Sequence, residues 1–272
     1  MDVTSDWASS GLICYYPVSS VILVFTLIAI ATYMIKLITF DLDNTLWDIN
    51  PVIIAAEKRL RNWVAEQVPE AVAHLEMDQL KQVYKKIREE HPELLHHPTN
   101  FRKKILHTVF SRVQTDPESA ASLTEKAFQV FYEGRNQITL FHQAEVILKN
   151  LSQRYPLIAL SNGNANLTMI GIDQYFKAHF SSETEGKAKP HKAMFERALA
   201  FSQIEAHQAI HIGDHPIEDV EAASTLGFST IWFNQNQQQD STLCNPTEQI
   251  HNLDQLESAV YRIEQLKKNP NH

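Results

Sequence analysis

Short apolar runs that end in polar residues recur along this chain and predict the strands of a buried parallel sheet. The first run, Leu37–Phe40, is followed at once by Asp41. Later runs of similar length and character occupy residues 156–160, 209–212 and 230–233. Runs this short and this apolar are typical of strands that other elements cover on both faces.

Helical periodicity separates the later runs. Residues 144–151, 192–201 and 218–226 have the spacing of amphipathic helices. A last apolar stripe predicts a terminal helix and consists of Leu253, Leu256, Val260 and Ile263. Because regular alternation of strand and helix implies a parallel sheet with right-handed crossovers, we expect an α/β fold with a Rossmann-like, three-layer core.

The stretch between the first two runs has a helical pattern throughout and no strand pattern. Asn50 followed by Pro51 predicts the start of its first helix, since Asn caps helices and Pro suits their first position. That helix is expected to bury one apolar face, made of Ile53, Ile54, Leu60, Trp63 and Val64. We expect residues 50–134 to form an α-helical cap over the strand ends, inserted into a catalytic core of residues 34–49 and 135–272.

The N-terminal segment is apolar enough to raise the question of a membrane span. Residues 18–35 reach the lower length limit for one. However, Lys36 directly precedes the first core run, with no linker between that run and the apolar segment. A signal peptide also needs basic residues before its apolar segment, and this chain has none there. We therefore interpret residues 1–33 as an extension upstream of Met34 that arises from a misplaced start codon. The expected location is then the cytoplasm, with a single-pass anchor through residues 18–35 as the alternative.

Composition and charge narrow the class of protein. The chain has 272 residues, of which 44% are hydrophobic and 21% charged, as in ordinary globular proteins with a buried core. Its formal net charge of -8 argues against non-specific nucleic-acid binding, which needs a basic surface. Cys14 and Cys244 fit no metal or redox spacing, so we expect two reduced thiols. We expect neither nucleic acid nor a membrane as a partner.

Polar residues follow the predicted strands at the points where a parallel sheet binds its ligands. The candidate site residues are Asp41, Asp43, Ser161, Asn162, Lys189, Asp214 and Asp219. Each of these residues alone is weak evidence for a site. Together they are stronger evidence, because the carboxyl ends of parallel strands meet at one edge of the sheet. Two neighbouring carboxylates, such as Asp41 and Asp43, repel each other unless a cation or a proton lies between them. With Asp214, these acids offer the oxygen ligands that suit Mg²⁺.

These residue types support the transfer of a phosphoryl group to a carboxylate. Asp41 can attack phosphorus, and Asp43 can protonate the leaving alkoxide and then take a proton from water. Ser161 and Asn162, together with nearby backbone N–H groups, can bind the phosphoryl oxygens, and Lys189 supplies positive charge there.

Four ordered motifs resemble those of the haloacid dehalogenase-like hydrolase superfamily. They are Asp41-Leu-Asp-Asn-Thr-Leu-Trp, Ser161-Asn-Gly-Asn, Lys189-Pro and Gly213-Asp-His-Pro-Ile-Glu-Asp. The resemblance covers residues 36–233 and implies that Asp41 is the nucleophile and Asp43 the acid–base. It also implies that Asp41, the main-chain carbonyl of Asp43 and Asp214 bind Mg²⁺, and that the helical insert is the family's cap.

The acids of the first motif indicate the reaction within that superfamily. Its dehalogenases and phosphonatases lack an acid at the position of Asp43, so the resemblance favours phosphate monoester hydrolysis, with mutases as an alternative. Residues 41–53, 96–103 and 158–165 are similar to the superfamily's bacterial riboflavin-pathway phosphatases. The leading substrates among small phosphorylated metabolites are then flavin mononucleotide and 5-amino-6-(5-phospho-D-ribitylamino)uracil. His215 departs from that group, which has a second acid there.

Other functions stay open from the residues alone. A sugar-phosphate or nucleotide phosphatase of the same superfamily has the same acids. A membrane-anchored protein could use the site to bind phosphate without turnover. Asp43 argues against this second alternative, because a binding protein has no need of a general acid.

Several further residues have two interpretations. Arg102 in the cap can reach the phosphate or leaving group, or be a solvated helix charge. Trp47 can wall the cleft or pack in the core. Asp219 can hold Lys189 or a metal-bound water, or be a helix surface acid. A proline-broken loop carries three histidines without the spacing of a metal site: His91, His96 and His97.

Overall fold

The computed structural model describes residues 34–237 and 245–268 of the chain. The expectations about residues 1–33 and about both cysteines lie outside the described residues. Of the predicted apolar span, the described part includes Ile35, which is buried in the core. Among the described residues, no helix combines the length and the hydropathy needed to cross a membrane.

A six-stranded parallel sheet forms the core and confirms the predicted α/β class. Its strands are β1 (Leu37–Phe40), β2 (Leu157–Ser161), β3 (Ala178–Ser181), β4 (Ala209–Gly213), β5 (Ser229–Phe233) and β6 (Glu248–Ile250). Their spatial order is β3-β2-β1-β4-β5-β6. Thr39 of β1 pairs with Ile158 of β2 on one side and with His211 of β4 on the other. The carboxyl ends of these three strands therefore meet at one place on the sheet edge.

The apolar runs predict β1, β2, β4 and β5, whereas β3 and β6 are additional. Both additional strands lie at the outer edges of the sheet. β3 has the sequence Ala-His-Phe-Ser and is only partly buried, and β6 is the three-residue Glu-Gln-Ile. An edge strand is less enclosed than a central one, so neither needs the continuous apolar run that marks the inner strands.

The helices follow the predicted alternation. In the described part of the chain they are α1 (Ile49–Gln67), α2 (Met77–Glu90), α3 (Pro98–Phe110), α4 (Pro117–Arg135), α5 (Ala144–Ser152), α6 (Leu167–Ile170), α7 (Ser182–Glu185), α8 (Ala193–Ser202), α9 (Ala222–Thr225) and α10 (Leu256–Lys268).

Helices cover both faces of the sheet. On one face, Phe40 of β1 belongs to an apolar cluster with Leu148 of α5 and Val260 of α10. On the other face, Leu37 of β1 belongs to a cluster with Phe195 of α8. The sheet thus lies between two helical layers, as the Rossmann-like, three-layer prediction requires.

Helices α1 to α4 lie between β1 and β2 in the chain, and we call residues 49–135 the cap segment. The segment has an apolar cluster of its own, which includes Leu60, Leu106 and Phe131. Gly134 of α4 lies so close to α1 that a methyl group on it would be 3.0 Å from the Cα of Ala56. The division of the chain into domains at residues 50 and 134 stays a prediction.

The first cap helix differs from its predicted start and buried face. α1 begins at Ile49, and the Asp48 side chain caps it by accepting a hydrogen bond from the Asn50 N–H. Asn50 therefore lies in the first turn and is not the cap. Ile54, predicted on the buried face, is 70% exposed. The buried positions follow an i, i+4 stripe instead: Val52, Ala56, Leu60 and Val64.

The predicted helix over residues 218–226 is divided in two. Pro216–Glu221 forms a π-helical turn, and α9 follows it. His215 caps this turn, because its Nδ1 accepts from the backbone N–H groups of Ile217 and Glu218. Single π-helical turns are frequent at functional sites, and this one directly follows Asp214 and His215.

Candidate active site

Asp41 lies at the centre of the candidate site, directly after β1. Its backbone N–H donates to the Ile212 carbonyl at 2.8 Å, which extends the pairing of β1 with β4. Its buried carboxylate accepts a hydrogen bond at each oxygen. Oδ1 lies 2.7 Å from the Nζ of Lys189, and Oδ2 lies 3.2 Å from the hydroxyl of Thr45. The orientation of Asp41 is thereby fixed at both oxygens.

Lys189 is shared between two buried carboxylates. Its Nζ also donates to Oδ1 of Asp219. Asn162, the residue after β2, holds the backbone of Lys189 from two directions: its Oδ1 accepts from the Lys189 N–H at 2.7 Å, and its Nδ2 donates to the Lys189 carbonyl at 3.0 Å. The Asn162 side chain also contacts Glu218, so it is engaged with protein groups. Of the roles predicted for Asp219, the structure shows contact with Lys189.

Asp219 has further donors that fix its position. Its Oδ1 lies 3.1 Å from Nε2 of His211, and its Oδ2 accepts from the His215 N–H at 3.0 Å. Because a carboxylate only accepts, Nε2 of His211 carries the hydrogen, and Nδ1 accepts from the Thr39 hydroxyl at 2.8 Å. Gly213 gives this carboxylate its space, since a methyl group there would overlap it.

Asp214 completes a cluster of acids that could hold a metal ion. Carboxylate oxygens of Asp41, Asp214 and Asp219 lie within 4.8 Å of one another. The Thr45 hydroxyl links two of these residues, since it lies 3.4 Å from Oδ1 of Asp214 as well as near Asp41. Among the described residues, this cluster brings together two of the predicted metal ligands. The third member is Asp219, and the Asp43 side chain is not part of it.

Burial and mutual repulsion govern the ionisation of these groups. Burial raises the pKa of Asp41 well above its usual range, with Asp219 and Asp214 adding to the rise and Lys189 opposing it. Burial likewise raises the pKa of Asp214 to about 7, with repulsion from Asp219 as the next cause. Burial acts to raise the pKa of Asp219, but contact with Lys189 and His211 outweighs burial and holds this pKa below its usual range. Burial lowers the pKa of Lys189, but its two carboxylate partners outweigh this and raise it.

This donor set fits a magnesium ion. Three buried carboxylates face one lysine, and a divalent cation would compensate the surplus negative charge. Asp219 has three hydrogen-bond donors at its two oxygens, whereas Asp41 has two. Among the described residues, the one side-chain donor to Asp214 is the Thr45 hydroxyl, which it shares with Asp41. Asp41 and Asp214 are therefore the side chains that would hold the ion, as oxygen ligands of the kind that Mg²⁺ prefers.

Asp43 is held two residues beyond Asp41, in the tight turn that follows β1. Its Oδ1 accepts from Nε1 of Trp47 at 2.8 Å, and its Oδ2 accepts from Nη2 of Arg135 at 2.7 Å. Asn44 forms the turn with a positive φ of 63°. Trp47 is fully buried in the apolar cluster, so of its two interpretations the structure shows core packing.

Ser161 is the last residue of β2 and is almost fully buried. Its hydroxyl oxygen accepts from the Gly163 N–H at 3.0 Å. This bond orders the loop that continues to Asn164, at the same sheet edge as Asp41. Ser161 therefore lies where the sequence predicts it, beside the strand that carries Asp41.

A cavity of about 250 Å³ extends from Asp43 into the cap segment. Its apolar and aromatic lining consists of Ile49, Ile53, Tyr84, Pro98, Phe101, Ile105 and Phe131. Arg102 also lines it, with its guanidinium 3.5 Å from the ring centre of Phe131 and its Nη1 2.7 Å from Glu57. In this arrangement Arg102 pairs with a cap residue and makes no contact with Asp41.

The cap segment contacts the core close to this cavity. The Thr99 N–H donates to Glu183, and the Thr99 hydroxyl accepts from Nδ2 of Asn164 at 3.1 Å. Nδ1 of His96 accepts from the Ala188 N–H at 3.2 Å. His96 thus contacts the core through the backbone of Ala188.

Sequence reasoning missed three residues of the site: Thr45, Arg135 and His211. Thr45 lies four residues after Asp41 inside the first motif, which is a signal that could have found it. His211 is a polar residue in the middle of an otherwise apolar run, which is a second visible signal. Arg135 carries no such signal, because its burial depends on partners far away in the chain.

Known proteins resemble this chain over most of its length. Residues 35–227 match the sequence model of the family described as haloacid dehalogenase-like hydrolase. The 5-amino-6-(5-phospho-D-ribitylamino)uracil phosphatase YigB of Escherichia coli K12 is 29% identical over 73% of this chain and 83% of that protein. A glyceraldehyde 3-phosphate phosphatase of Pyrococcus abyssi is 25% identical over 74% of this chain and 82% of that protein.

A solved structure supports the same relationship. The crystal structure of a 2-haloacid dehalogenase from Pseudomonas syringae pv. tomato DC3000 superposes with a TM-score of 0.81 and 34% sequence identity, covering 84% of this chain and 99% of that one. The expected enzyme class is confirmed, since the family consists of hydrolases and the curated relatives above are phosphatases. The four motifs, the fold and the family match over residues 35–227 agree, and this chain belongs to the haloacid dehalogenase-like hydrolase family.

Proposed function

We propose that this protein is a Mg²⁺-dependent phosphatase that hydrolyses phosphate monoesters of small metabolites through a phosphorylated Asp41. The setting of Asp41 supports the proposal most. It is buried at the sheet edge, Lys189 and Thr45 hold its two oxygens, and Asp214 lies beside it. Such a carboxylate can act as a nucleophile when positive charge offsets the approach of an anionic phosphate.

The proposed reaction has two steps. In the first, an oxygen of Asp41 bonds to phosphorus while the bond from phosphorus to the leaving oxygen breaks, and Asp43 gives its proton to that oxygen. In the second, Asp43 takes a proton from water, and the water oxygen bonds to phosphorus while the bond to Asp41 breaks. The products are an alcohol and inorganic phosphate, and both acids return to their starting state.

The remaining site residues support these steps. Lys189 places its ammonium against Asp41, where charge on the transferred group develops. The bond from the Gly163 N–H to the Ser161 hydroxyl orders the loop after Ser161 at the same edge. When held by Asp41, Asp214 and the main-chain carbonyl of Asp43, Mg²⁺ would supply the positive charge that lets a phosphate approach these acids.

We further propose that the substrate carries a flat ring system, with flavin mononucleotide or 5-amino-6-(5-phospho-D-ribitylamino)uracil as the leading candidates. The cavity beside Asp43 supports this, because Tyr84, Phe101 and Phe131 line it and aromatic rings pack well on planar rings. The relative YigB, named for the second of these substrates, supports it as well.

The test is phosphate release from a panel of esters with and without Mg²⁺. The panel contains flavin mononucleotide, the ribitylaminouracil phosphate, glyceraldehyde 3-phosphate and an aryl phosphate, and a 2-haloacid is assayed for halide release. We expect Mg²⁺-dependent phosphate release that Asp41→Asn reduces by a factor of at least about 10³, as loss of a nucleophile requires. Equal rates for the two proteins would contradict the proposed nucleophile. A higher kcat/KM for glyceraldehyde 3-phosphate would reject the flat-ring substrates.

A further inference from the structure

Arg135 is a buried charged residue that the reaction scheme above does not use. It is the last residue of α4, where the cap segment returns to the core, and it is 2% exposed. Its Nη2 donates to Oδ2 of Asp43 at 2.7 Å, and its Nε donates to Oδ1 of Asn164 at 3.0 Å. Within the described residues, its Nη1 has no hydrogen-bond partner. Burying a guanidinium with part of its donors unsatisfied is costly, so packing alone is a poor reason for an arginine here.

The carboxylate of Asp43 is held from two sides, and Arg135 provides one of them. Nε1 of Trp47 provides the other, at 2.8 Å from Oδ1. The backbone of Gly163 closes the space next to the ion pair. A methyl group on Gly163 would lie 2.6 Å from Oδ2 of Asp43 and 3.0 Å from Nη2 of Arg135. Asp43 therefore has one well-defined side-chain orientation at the border of the cavity.

The same arginine connects Asp43 to the cap segment. Asn164, which accepts from Nε of Arg135, donates through its Nδ2 to the Thr99 hydroxyl at 3.1 Å. Thr99 lies in the first turn of α3. Hydrogen bonds thus run from α3 through Asn164 and Arg135 to the general acid–base.

We propose that Arg135 is a positioning residue that orients the carboxylate of Asp43 for proton transfer to the leaving oxygen. The proposal rests on the proposed phosphatase function. Arg135 reaches the reacting groups through its bond to Asp43, so its loss affects the step in which a proton must reach the leaving group. Attack by Asp41 on phosphorus does not depend on it, since Asp41 is held by Lys189 and Thr45.

This role predicts a dependence on the leaving group that a purely structural role does not. An alkyl phosphate releases a basic alkoxide and needs the proton from Asp43. A dinitrophenyl phosphate releases a stable phenolate and needs little help from an acid. The change that a variant causes in the ratio of kcat/KM for the two esters therefore reports its effect on proton transfer to the leaving group. Because both esters are assayed on one preparation, the fraction of folded enzyme cancels from the ratio.

The experiment compares Arg135→Gln with the wild type and with Asp43→Asn on both esters. We expect Arg135→Gln to lower kcat/KM about 10-fold or more on the alkyl ester, which is part of the 10²–10⁴-fold that general acid catalysis supplies. The dinitrophenyl ester needs little general acid catalysis, so we expect its kcat/KM to fall by less than about 3-fold. The double variant should be no slower on the alkyl ester than Asp43→Asn, because both changes remove the same interaction.

A matched control is Arg59→Gln. Arg59 bridges α1 and α4 through Glu133 at 2.9 Å and is substantially exposed, so it tests the loss of a cap ion pair that does not reach Asp43. We expect an unchanged ratio for this variant. Arg135→Lys keeps the charge but loses the planar fork, and it should recover part of the ratio. If Arg135→Gln does not fold, Arg135→Lys takes its place in the comparison of the two esters.

A loss of equal size on the two esters, in Arg135→Gln or in Arg135→Lys, would overturn the positioning role. An additional loss on the alkyl ester in the double variant would overturn it as well. Failure of the proposed function gives a different result, because the wild type would then release no Mg²⁺-dependent phosphate from either ester.

Discussion

One ammonium group, the Nζ of Lys189, contacts two buried carboxylates of the site. The side chains of Lys189 and Asp219 are 1% and 2% exposed, and that of Asp41 is 10% exposed. Removing one partner of a buried charged set leaves the others without compensation, which costs more than the set itself contributes. The contacts of Lys189 therefore tie the stability of the protein to the geometry of its site.

For Lys189→Met we expect a lower free energy of unfolding and a loss of activity. The unpaired acids should cost about 3–5 kcal/mol, and the missing charge at phosphorus should lower kcat by a factor of about 10²–10³. Urea unfolding and steady-state kinetics measure the two effects. The matched control is Lys192→Met, whose exposed pair with Glu196 at 2.7 Å should contribute less than about 1 kcal/mol. Equal stability of the two variants would contradict this account of Lys189.

His179 in β3 supports a prediction about acid. Burial lowers the pKa of His179 below 6.5, the positive charge of Arg135 lowers it further, and Asp43 opposes the shift. The unfolded chain therefore binds a proton here between pH 6.5 and the folded pKa, whereas the folded protein does not. Folding stability from this residue is complete above pH 6.5 and is lost as pH falls.

We expect His179→Gln to lose less stability than the wild type as pH falls below about 6.5, because the variant no longer has this proton uptake on unfolding. Free energies of unfolding at several pH values measure the effect. His142→Gln is the control, since the His142 side chain is 81% exposed. Parallel pH profiles for the wild type and His179→Gln would refute the prediction.

Local sequence is enough to locate some site residues and not others. Asp41 and Asp214 follow apolar runs, so the strand ends that bring them together could be predicted. The partners of Arg135 are Asp43 and Asn164, which lie 92 and 29 residues away in the chain. The sequence around Arg135 looks like that of any arginine at the end of a helix. Its burial is a product of tertiary structure. The pairing of Arg102 with Glu57 has the same origin, 45 residues apart.

At the scale of elements, strand prediction works where a strand is enclosed. β1, β2, β4 and β5 are buried along their full length, and their apolar runs show it. β3 and β6 lie at the sheet edges, and their mixed sequences give no run. Helix ends depend on single polar side chains, which explains why α1 begins after Asp48 and not after Asn50.

The start of α3 helps to dock the cap segment on the core, through Thr99. For Thr99→Val we expect kcat/KM to fall by about 2–10-fold, since one hydrogen bond of about 0.5–1.5 kcal/mol to Asn164 is lost. Amide exchange around residues 96–99 should become faster, because Thr99 and His96 both contact the core. These two measurements check the prediction.

Thr108→Val is the matched control for Thr99→Val. The Thr108 hydroxyl lies on the same helix, is exposed, and donates only to the Lys104 carbonyl at 2.8 Å. We expect no change in kcat/KM from its removal. Equal effects of the two substitutions would show that the contact with Asn164 does not contribute to docking.

At the scale of the whole molecule, the sheet gathers acids from distant parts of the chain. The loops after β1 and β4 supply Asp41 and Asp214, and Lys189 comes from the segment before α8. The alternation of strand and helix predicts that these strand ends share one edge of the sheet. The structure adds the strand order, in which β1 lies beside both β2 and β4. The contacts between the cap segment and the core could not be predicted, since they depend on how the cap segment lies on the sheet edge.

We expect removal of divalent cations to abolish activity and addition of Mg²⁺ to restore it. Mg²⁺ should also raise the Tm, because an ion that binds only the folded protein stabilises it by about 2.7 kcal/mol at 100 times its Kd. Thermal unfolding with and without Mg²⁺ measures this, independently of turnover. Asp214→Asn is the comparison, and it should lose the Mg²⁺-dependent rise in Tm. Full activity in excess chelator would disprove the requirement.

The excess of acidic over basic side chains in the cluster predicts that the order in which Mg²⁺ and the ester are added to the enzyme matters. When all three acids of the cluster are ionised, they outnumber the one ammonium at this edge, so a phosphate ester that arrives before the cation encounters net repulsion. Enzyme premixed with Mg²⁺ should then begin turnover at once. Enzyme premixed with the ester alone should begin turnover no earlier than enzyme that receives the ester and Mg²⁺ together. Free phosphate should inhibit only after the cation has bound.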